Sequence, residues 1–158
     1  MIAHRLKQYL DEQRIPYETH VHRVAYTAQQ VAAEEHVPGR MMAKTVILHA
    51  GDGFAMAVLP APMRVDLAAL RSALNQPHVR LATEAEFTSL FPDSETGAMP
   101  PFGNLYNLPV YADEALAKDE EIVFNAGTHR DTIKMRFADF QKLVQPRILP
   151  LAFRVEAA

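Results

Sequence analysis

KTVILHAGDGFAMAVLPA, residues 44–61, decides the fold of this chain. Two short apolar runs, KTVILHA (44–50) and GFAMAVLPA (53–61), flank a GDG triplet. The β-branched residues of TVI favour an extended strand, whereas AMAV alone suits a helix or a strand. Two such runs joined by a glycine-rich turn read as a hairpin whose strands are buried or half-buried.

The segments around the hairpin alternate in character. Residues 2–13 carry Ile2, Leu6, Tyr9 and Leu10 at helical spacing, and Pro16 stops that helix. PYETHVH (16–22) reads as extended, with Tyr17, Thr19 and Val21 on one side. TAQQ (27–30) is a capping box for a helix expected to end near Pro38-Gly39. Beyond the hairpin, VDLAALRSAL (65–74) predicts a helix capped by Asp66, and RLAT (80–83) a short strand. Thr83 and Glu86 form a second capping box, opening TEAEFTSLF. LPVYAD (108–113) predicts a strand, EALAKD a short helix, and EIVFNAG (121–127) a strand with Ile122, Phe124 and Ala126 on one face. THRDTIKMRF continues the sheet or turns away from it, and ADFQKLVQ closes as a helix limited by Pro146. No regular βαβ rhythm is present. The expected fold is therefore α/β: one domain over residues 1–158, with a mixed, largely antiparallel sheet and helices packed around it.

Composition bounds the function. The chain has 158 residues, 49% of them hydrophobic, enough for one core but not two independent ones. A formal net charge of -3 argues against a generally basic, nucleic-acid-coating surface and leaves room for a local patch. No cysteine is present, which removes disulfides, thiolate nucleophiles and cysteine-bound zinc. No apolar run approaches the roughly 20 residues of a membrane span, and the first residues lack a signal-peptide core. A cytoplasmic protein without membrane partners is expected.

Three places carry candidate chemistry. Lys44 heads the most apolar strand. It is either a strand-edge lysine keeping its charge in water through its long stem, or a cation at a cleft mouth that holds a phosphate, carboxylate or polarised carbonyl. His129 lies in NAGTHRDT, either in a plain polar turn or in a binding loop where it orients substrate or water; Gly127 there permits a backbone shape or close approach that a side chain would block. GAMPPFG (97–103) is an uncharged stretch in which Pro100 and Pro101 fix φ and remove two donors, while Gly97 and Gly103 give freedom at its ends. It is a surface turn or a stiff wall around a small ligand. HVH (20–22) is the only close histidine pair and lacks a third ligand, so no metal is expected. The serine-hydrolase elbow, the HEXXH zinc motif and the Walker loop are absent.

These pieces, in this order, resemble the YbaK and prolyl-tRNA synthetase-associated editing domains, the free-standing aminoacyl-tRNA deacylases. The likeness runs over roughly residues 2–145. It is carried by TAQQVAAE, PGRMMA followed by KTVIL, VLPAPMRVDLAAL, LATEAEF, VYAD and NAGTHRDTIKM. GAMPPFG fits the family's glycine, three residues, proline, one residue, glycine pattern. The resemblance implies that Lys44 is the key functional residue, holding the terminal adenosine and aminoacyl ester. It implies a pocket bordered by Gly97, Pro101 and Gly103 and by Gly127, Thr128 and His129. Where many members place asparagine after the lysine, this chain has Thr45.

The expected activity is hydrolysis of the ester on tRNA mischarged with a small residue such as alanine, cysteine, serine or threonine. Lys44, with backbone groups near Gly97 and Gly127, would hold the ester and its oxyanion. His129 would position the amino acid or a water, and Thr45 belongs to the substrate-binding set. Met99 and Phe102 would shape the side-chain pocket, so that Phe102→Ala alters selectivity. No cofactor is expected. The expected partners are the tRNA acceptor end and, as a further candidate, an aminoacyl-tRNA synthetase; DNA is not one. Arg23, Arg40, Lys44, Arg64, Arg130, Lys134 and Arg136 are candidates to gather around one cleft. The alternatives are a non-catalytic module binding tRNA ends, nucleotides or a synthetase, and a hydrolase of small nucleotide-linked esters.

Overall fold

The structure, a computed structural model, describes residues 2–154. In chain order its elements are α1 (His4–Glu12), β1 (Glu18–Val21), α2 (Ala28–Glu34), β2 (Ala43–Ala50), β3 (Gly53–Pro60), β4 (Met63–Val65), α3 (Leu67–Leu74) and β5 (Val79–Leu81). There follow α4 (Glu84–Phe87), β6 (Val110–Asp113), β7 (Glu121–Asn125), β8 (Asp131–Arg136), α5 (Phe137–Val144), β9 (Arg147–Leu149) and β10 (Ala152–Arg154).

The hairpin forms as its sequence demands. β2 and β3 pair antiparallel from Ala43↔Pro60 to Ala50↔Gly53, and Gly51 takes a φ of 59° in the turn. AMAV is strand, because both faces of this pair are covered and near-continuous apolar residues suit that setting. On one face Ala43, Ile47, Met56 and Val58 enter the main core. On the other, Leu48, Ala55, Ala57 and Leu59 pack with Leu70 of α3. β5 adds antiparallel to β2, while β6 adds parallel to β3 and β9 parallel to β6. The five-stranded sheet is thus mixed.

THRDTIKMRF turns away from that sheet. β8 pairs with β7 and β1 in a second, three-stranded antiparallel sheet. Ile122 and Phe124 of β7 meet Ile133 and Met135 of β8 in the main core, so the two sheets share one interior. An isolated parallel bridge, Met42↔Val123, joins them at the head of β2.

Both capping boxes and the Asp66 cap are formed. The helix behind Asp66 runs to Leu74 as expected, but the two that the boxes open are shorter than expected, α2 stopping at Glu34 and α4 being a single turn, and EALAKD forms only a 3₁₀ turn over Leu116–Lys118. β1 is exposed along its whole length, Thr19 and Val21 included, and is an edge strand held by its ladder to β8, whereas Tyr17 just before it is half-buried against the main core. The three-residue strands β4, β9 and β10 were not anticipated, since so short a segment carries no period and is defined by the partner it meets. No helix among the described residues is long and apolar enough to cross a membrane.

Candidate functional site

The Met42↔Val123 bridge brings the head of β2 beside the end of β7, and the glycine-proline loop closes over that seam. A hollow of about 160 Å³ results. Its walls are Tyr26 and Ala28 at the start of α2, Ala43, Lys44 and Thr45 of β2, Gly97 and Met99 of the loop, and Asn125 of β7. Four of the expected site residues (Lys44, Thr45, Gly97 and Met99) therefore meet.

The two glycine loops are tied directly to each other. Glu95 N–H donates to Gly127 O at 2.7 Å, and Gly127 N–H donates to Ala98 O at 2.9 Å. The His129 backbone N–H donates to Glu95 Oε1 at 2.8 Å, and its ring Nε2 lies 3.0 Å from Thr96 O. A carbonyl can only accept, so Nε2 carries a proton. Nδ1 is buried and has no hydrogen-bond partner among the described residues. The ring packs on Tyr26 with centroids 4.7 Å apart, behind the wall rather than in it.

Lys44 is half-buried, and its Nζ donates to Ala61 O at 3.1 Å. Partial burial, followed by the nearby Arg64 guanidinium, lowers its pKa below the ordinary lysine value. Asn125 Oδ1 is buried without a hydrogen-bond partner among the described residues. A buried amide oxygen in that state gains most from a donor brought by a ligand.

Several expectations need correction. Phe102 is fully buried and stacks among Phe124, Phe140 and Tyr9; it is core and not a pocket wall, because the loop turns its ring inward. Pro101 and Gly103 are buried beside it, and a Cβ at Gly103 would lie 2.6 Å from Val110 Cγ2, so this glycine serves close packing. Gly127 offers no free oxyanion donor, since its N–H is spent on Ala98 O. Thr128 Oγ1 donates to Asp131 Oδ2 at 2.6 Å and accepts from the N–H groups of Arg130 and Asp131, which ties it into its own turn. Gly97 differs: among the described residues its N–H donates only to Met99 Sδ, a weak acceptor that a developing oxyanion can displace. Four of the seven basic residues are placed by their contacts. Arg40 pairs with Asp119 and Lys134 with Glu121, whereas Lys44 and Arg64 share a groove.

Gly97 and Gly127 have φ values of 89° and 106°, which side-chain-bearing residues rarely adopt. Gly127→Ala would also place a Cβ 2.8 Å from Ala3 Cβ and 2.9 Å from Ala3 N. We expect it to cost about 2–3 kcal/mol of stability. Gly97→Ala, which meets only His129 Cε1 at 3.4 Å, should cost about 1 kcal/mol. Urea melts of the two variants check the order.

Sequence reasoning passed over Asn125, Tyr26 and Ala28 as site residues. A signal existed for the first: alternation along EIVFN sets Asn125 on the face opposite Ile122 and Phe124. The bridge that turns this face toward Lys44 has no local signature.

The family model of the aminoacyl-tRNA editing domain matches residues 22–143. The Multifunctional Ser/Thr-tRNA deacylase ProXp-y of Escherichia coli strain K12 is 33% identical over 95 residues, covering 60% of this chain and 56% of that protein. The match thus spans little more than half the length of that relative. Among solved structures, a hypothetical protein superposes with a TM-score of 0.85 at 16% identity, over 94% of this chain and 99% of that one. A protein described as a candidate trans-editing enzyme for prolyl tRNA synthetase superposes with a TM-score of 0.82 at 22% identity, over 96% of each chain. The ordered motifs, the two-sheet core and the family match over most of the sequence agree: the chain belongs to the aminoacyl-tRNA editing domain family, with a YbaK-like fold.

Proposed function

We propose that this chain hydrolyses the ester joining a mischarged small amino acid to the 3′ end of tRNA, with serine and threonine as its foremost substrates. The observation that carries this reading is the small polar-lined hollow in which Lys44, Thr45, Gly97 and Asn125 meet. Its size suits an amino acid rather than a whole nucleoside. Thr45 and the unpartnered Asn125 Oδ1 offer hydrogen bonds to a hydroxyl or an ammonium group. The name of the Escherichia coli relative, a Ser/Thr-tRNA deacylase, supports the same narrowing.

An aminoacyl ester is already activated, so no protein nucleophile is needed. A water adds to the ester carbon and its carbonyl oxygen becomes an oxyanion. The carbon–oxygen bond to the ribose then breaks, and the ribose oxygen leaves with a proton, giving free amino acid and uncharged tRNA. Lys44 and the Gly97 N–H stabilise the charge that develops, and the walls hold the ester in an attacking pose. The water is the nucleophile, and the vicinal ribose hydroxyl is suited to assist by relaying a proton to the leaving ribose oxygen. His129, tied to Thr96 and Tyr26, fixes the loop and acts as a positioning residue.

The test is a panel of tRNAs charged with serine, threonine, alanine, cysteine or a matched residue. Release of free serine and threonine ahead of the others is expected. Tight binding of every tRNA with no amino acid released would replace this reading with a binding module. We take the Asn125 oxygen to accept from the substrate's ammonium. Asn125→Ala is then expected to lower kcat/KM about tenfold, a change visible in single-turnover rates.

A further inference from the structure

The backbone between Glu95 and Met99 is closely tied. Glu95 N–H and the Ala98 carbonyl bind Gly127, Ala98 N–H donates to Glu95 O, and Thr96 O meets His129 Nε2. The Gly97 N–H is held more loosely: among the described residues it donates to Met99 Sδ alone, at 3.1 Å. Both residues border the hollow beside Lys44. A thioether is a weak acceptor, so this amide is easily released.

The same sulfur is open to a second chemistry. The chain has seven methionines and no cysteine, so thioethers are the sulfur that a peroxide can oxidise. Met42, Met56 and Met135 are buried in the cores, and Met41 and Met63 are half-buried but form no part of the hollow's walls. Met99 alone of the described methionines borders the site.

We propose that Met99 is an oxidation site that closes the hollow: a peroxide converts its thioether to the sulfoxide, whose oxygen takes the Gly97 N–H in place of the substrate's oxyanion. A sulfur lone pair attacks one peroxide oxygen. The oxygen–oxygen bond breaks, and its electron pair leaves on the other oxygen. That oxygen takes up the proton of the transferred hydroxyl and departs as water. Sulfur is oxidised by two electrons and the peroxide is reduced. The unbranched stem of methionine lets the sulfur draw back and set its new oxygen against the N–H. A flexible apolar wall thereby becomes a polar one. The loss of activity rests on the reading that the Gly97 N–H stabilises the oxyanion; the modification and the new hydrogen bond do not.

The protein is exposed to hydrogen peroxide, sampled over time and freed of peroxide. Peptide masses give the oxidation of each methionine, and nitrogen–proton NMR spectra follow the Gly97 amide. Single-turnover release of serine from seryl-tRNA follows activity. Met99 is only 4% exposed, so the more open Met41 and Met63 should oxidise first, with little loss of rate. The rate should then fall about 100-fold in step with Met99, the scale for losing one oxyanion donor. The Gly97 amide proton should move downfield over the same course. Met99→Leu should keep its own starting rate through the same exposure.

Met99 still a thioether once Met41 and Met63 are fully oxidised would overturn the proposal. So would an unmoved Gly97 amide in the sulfoxide, or a rate that falls with Met41 and Met63 instead. These wild-type measurements decide the matter even where Met99→Leu fails to fold. If the untreated protein releases no amino acid from any charged tRNA, the hydrolytic reading fails, and the masses and the amide still decide the oxidation site. If the sulfoxide forms and the amide moves while turnover persists, the closure is overturned and the hydrolytic reading stands.

Discussion

Lys44→Met is expected to lower single-turnover deacylation of seryl-tRNA by about 100-fold or more, the scale for losing one group that stabilises a developing oxyanion, while the melting temperature at neutral pH stays level or rises. The second half follows from the lysine's surroundings. Burial first, and then Arg64, push its folded-state pKa below the unfolded value. The fold therefore disfavours the charged form. That penalty is present below the folded-state pKa and fades as pH rises through it toward the unfolded value. Methionine fills similar space without the charge and gives up only the bond to Ala61 O. The melting difference between variant and wild type should accordingly shift against the variant in alkaline buffer. A folded Lys44→Met protein that deacylates at the wild-type rate would remove Lys44 from the chemistry. A clear drop in its melting temperature would assign it to the scaffold.

Phe102→Ala should do the opposite, sparing the selectivity of whatever remains folded and damaging the fold. The ring is fully buried, with centroids 5.6 Å from both Phe124 and Phe140 and 6.4 Å from Tyr9. Truncating a core phenylalanine leaves a cavity and costs about 3–5 kcal/mol. For a chain of this size that lowers the melting temperature by roughly 8–15 °C. Thermal and urea unfolding measure the loss, and the charged-tRNA panel measures selectivity below the transition. An unchanged melt with an altered amino-acid preference would return Phe102 to the pocket wall.

The hairpin, the capping boxes and most strands were legible because their causes are local: β-branched runs, a glycine turn, and side-chain oxygens placed to meet free N–H groups. Lys44 and Gly97 were legible for a related reason, an ammonium at a strand head and a glycine beside stiff prolines. What sequence could not separate was inward from outward in GAMPPFG. Met99 and Phe102 are both apolar residues of one loop, yet one borders the hollow and the other anchors the aromatic core. Only the position of Phe124 and Phe140, supplied by distant segments, decides between them. Gly127 was misread similarly: its φ is unusual as expected, but the N–H it frees is taken by Ala98 and its missing Cβ makes room for Ala3. Asn125 had the right alternation and awaited a contact between two sheets.

That contact is the single bridge between Met42 and Val123. Ala43 follows it directly on one side and Asn125 stands two residues beyond it on the other, so this joint sets how far apart two walls of the hollow stand. Heat or mutation that loosens this joint by a fraction of an ångström would admit bulkier residues while each sheet stayed intact. Fidelity would then fail at a lower temperature than folding does.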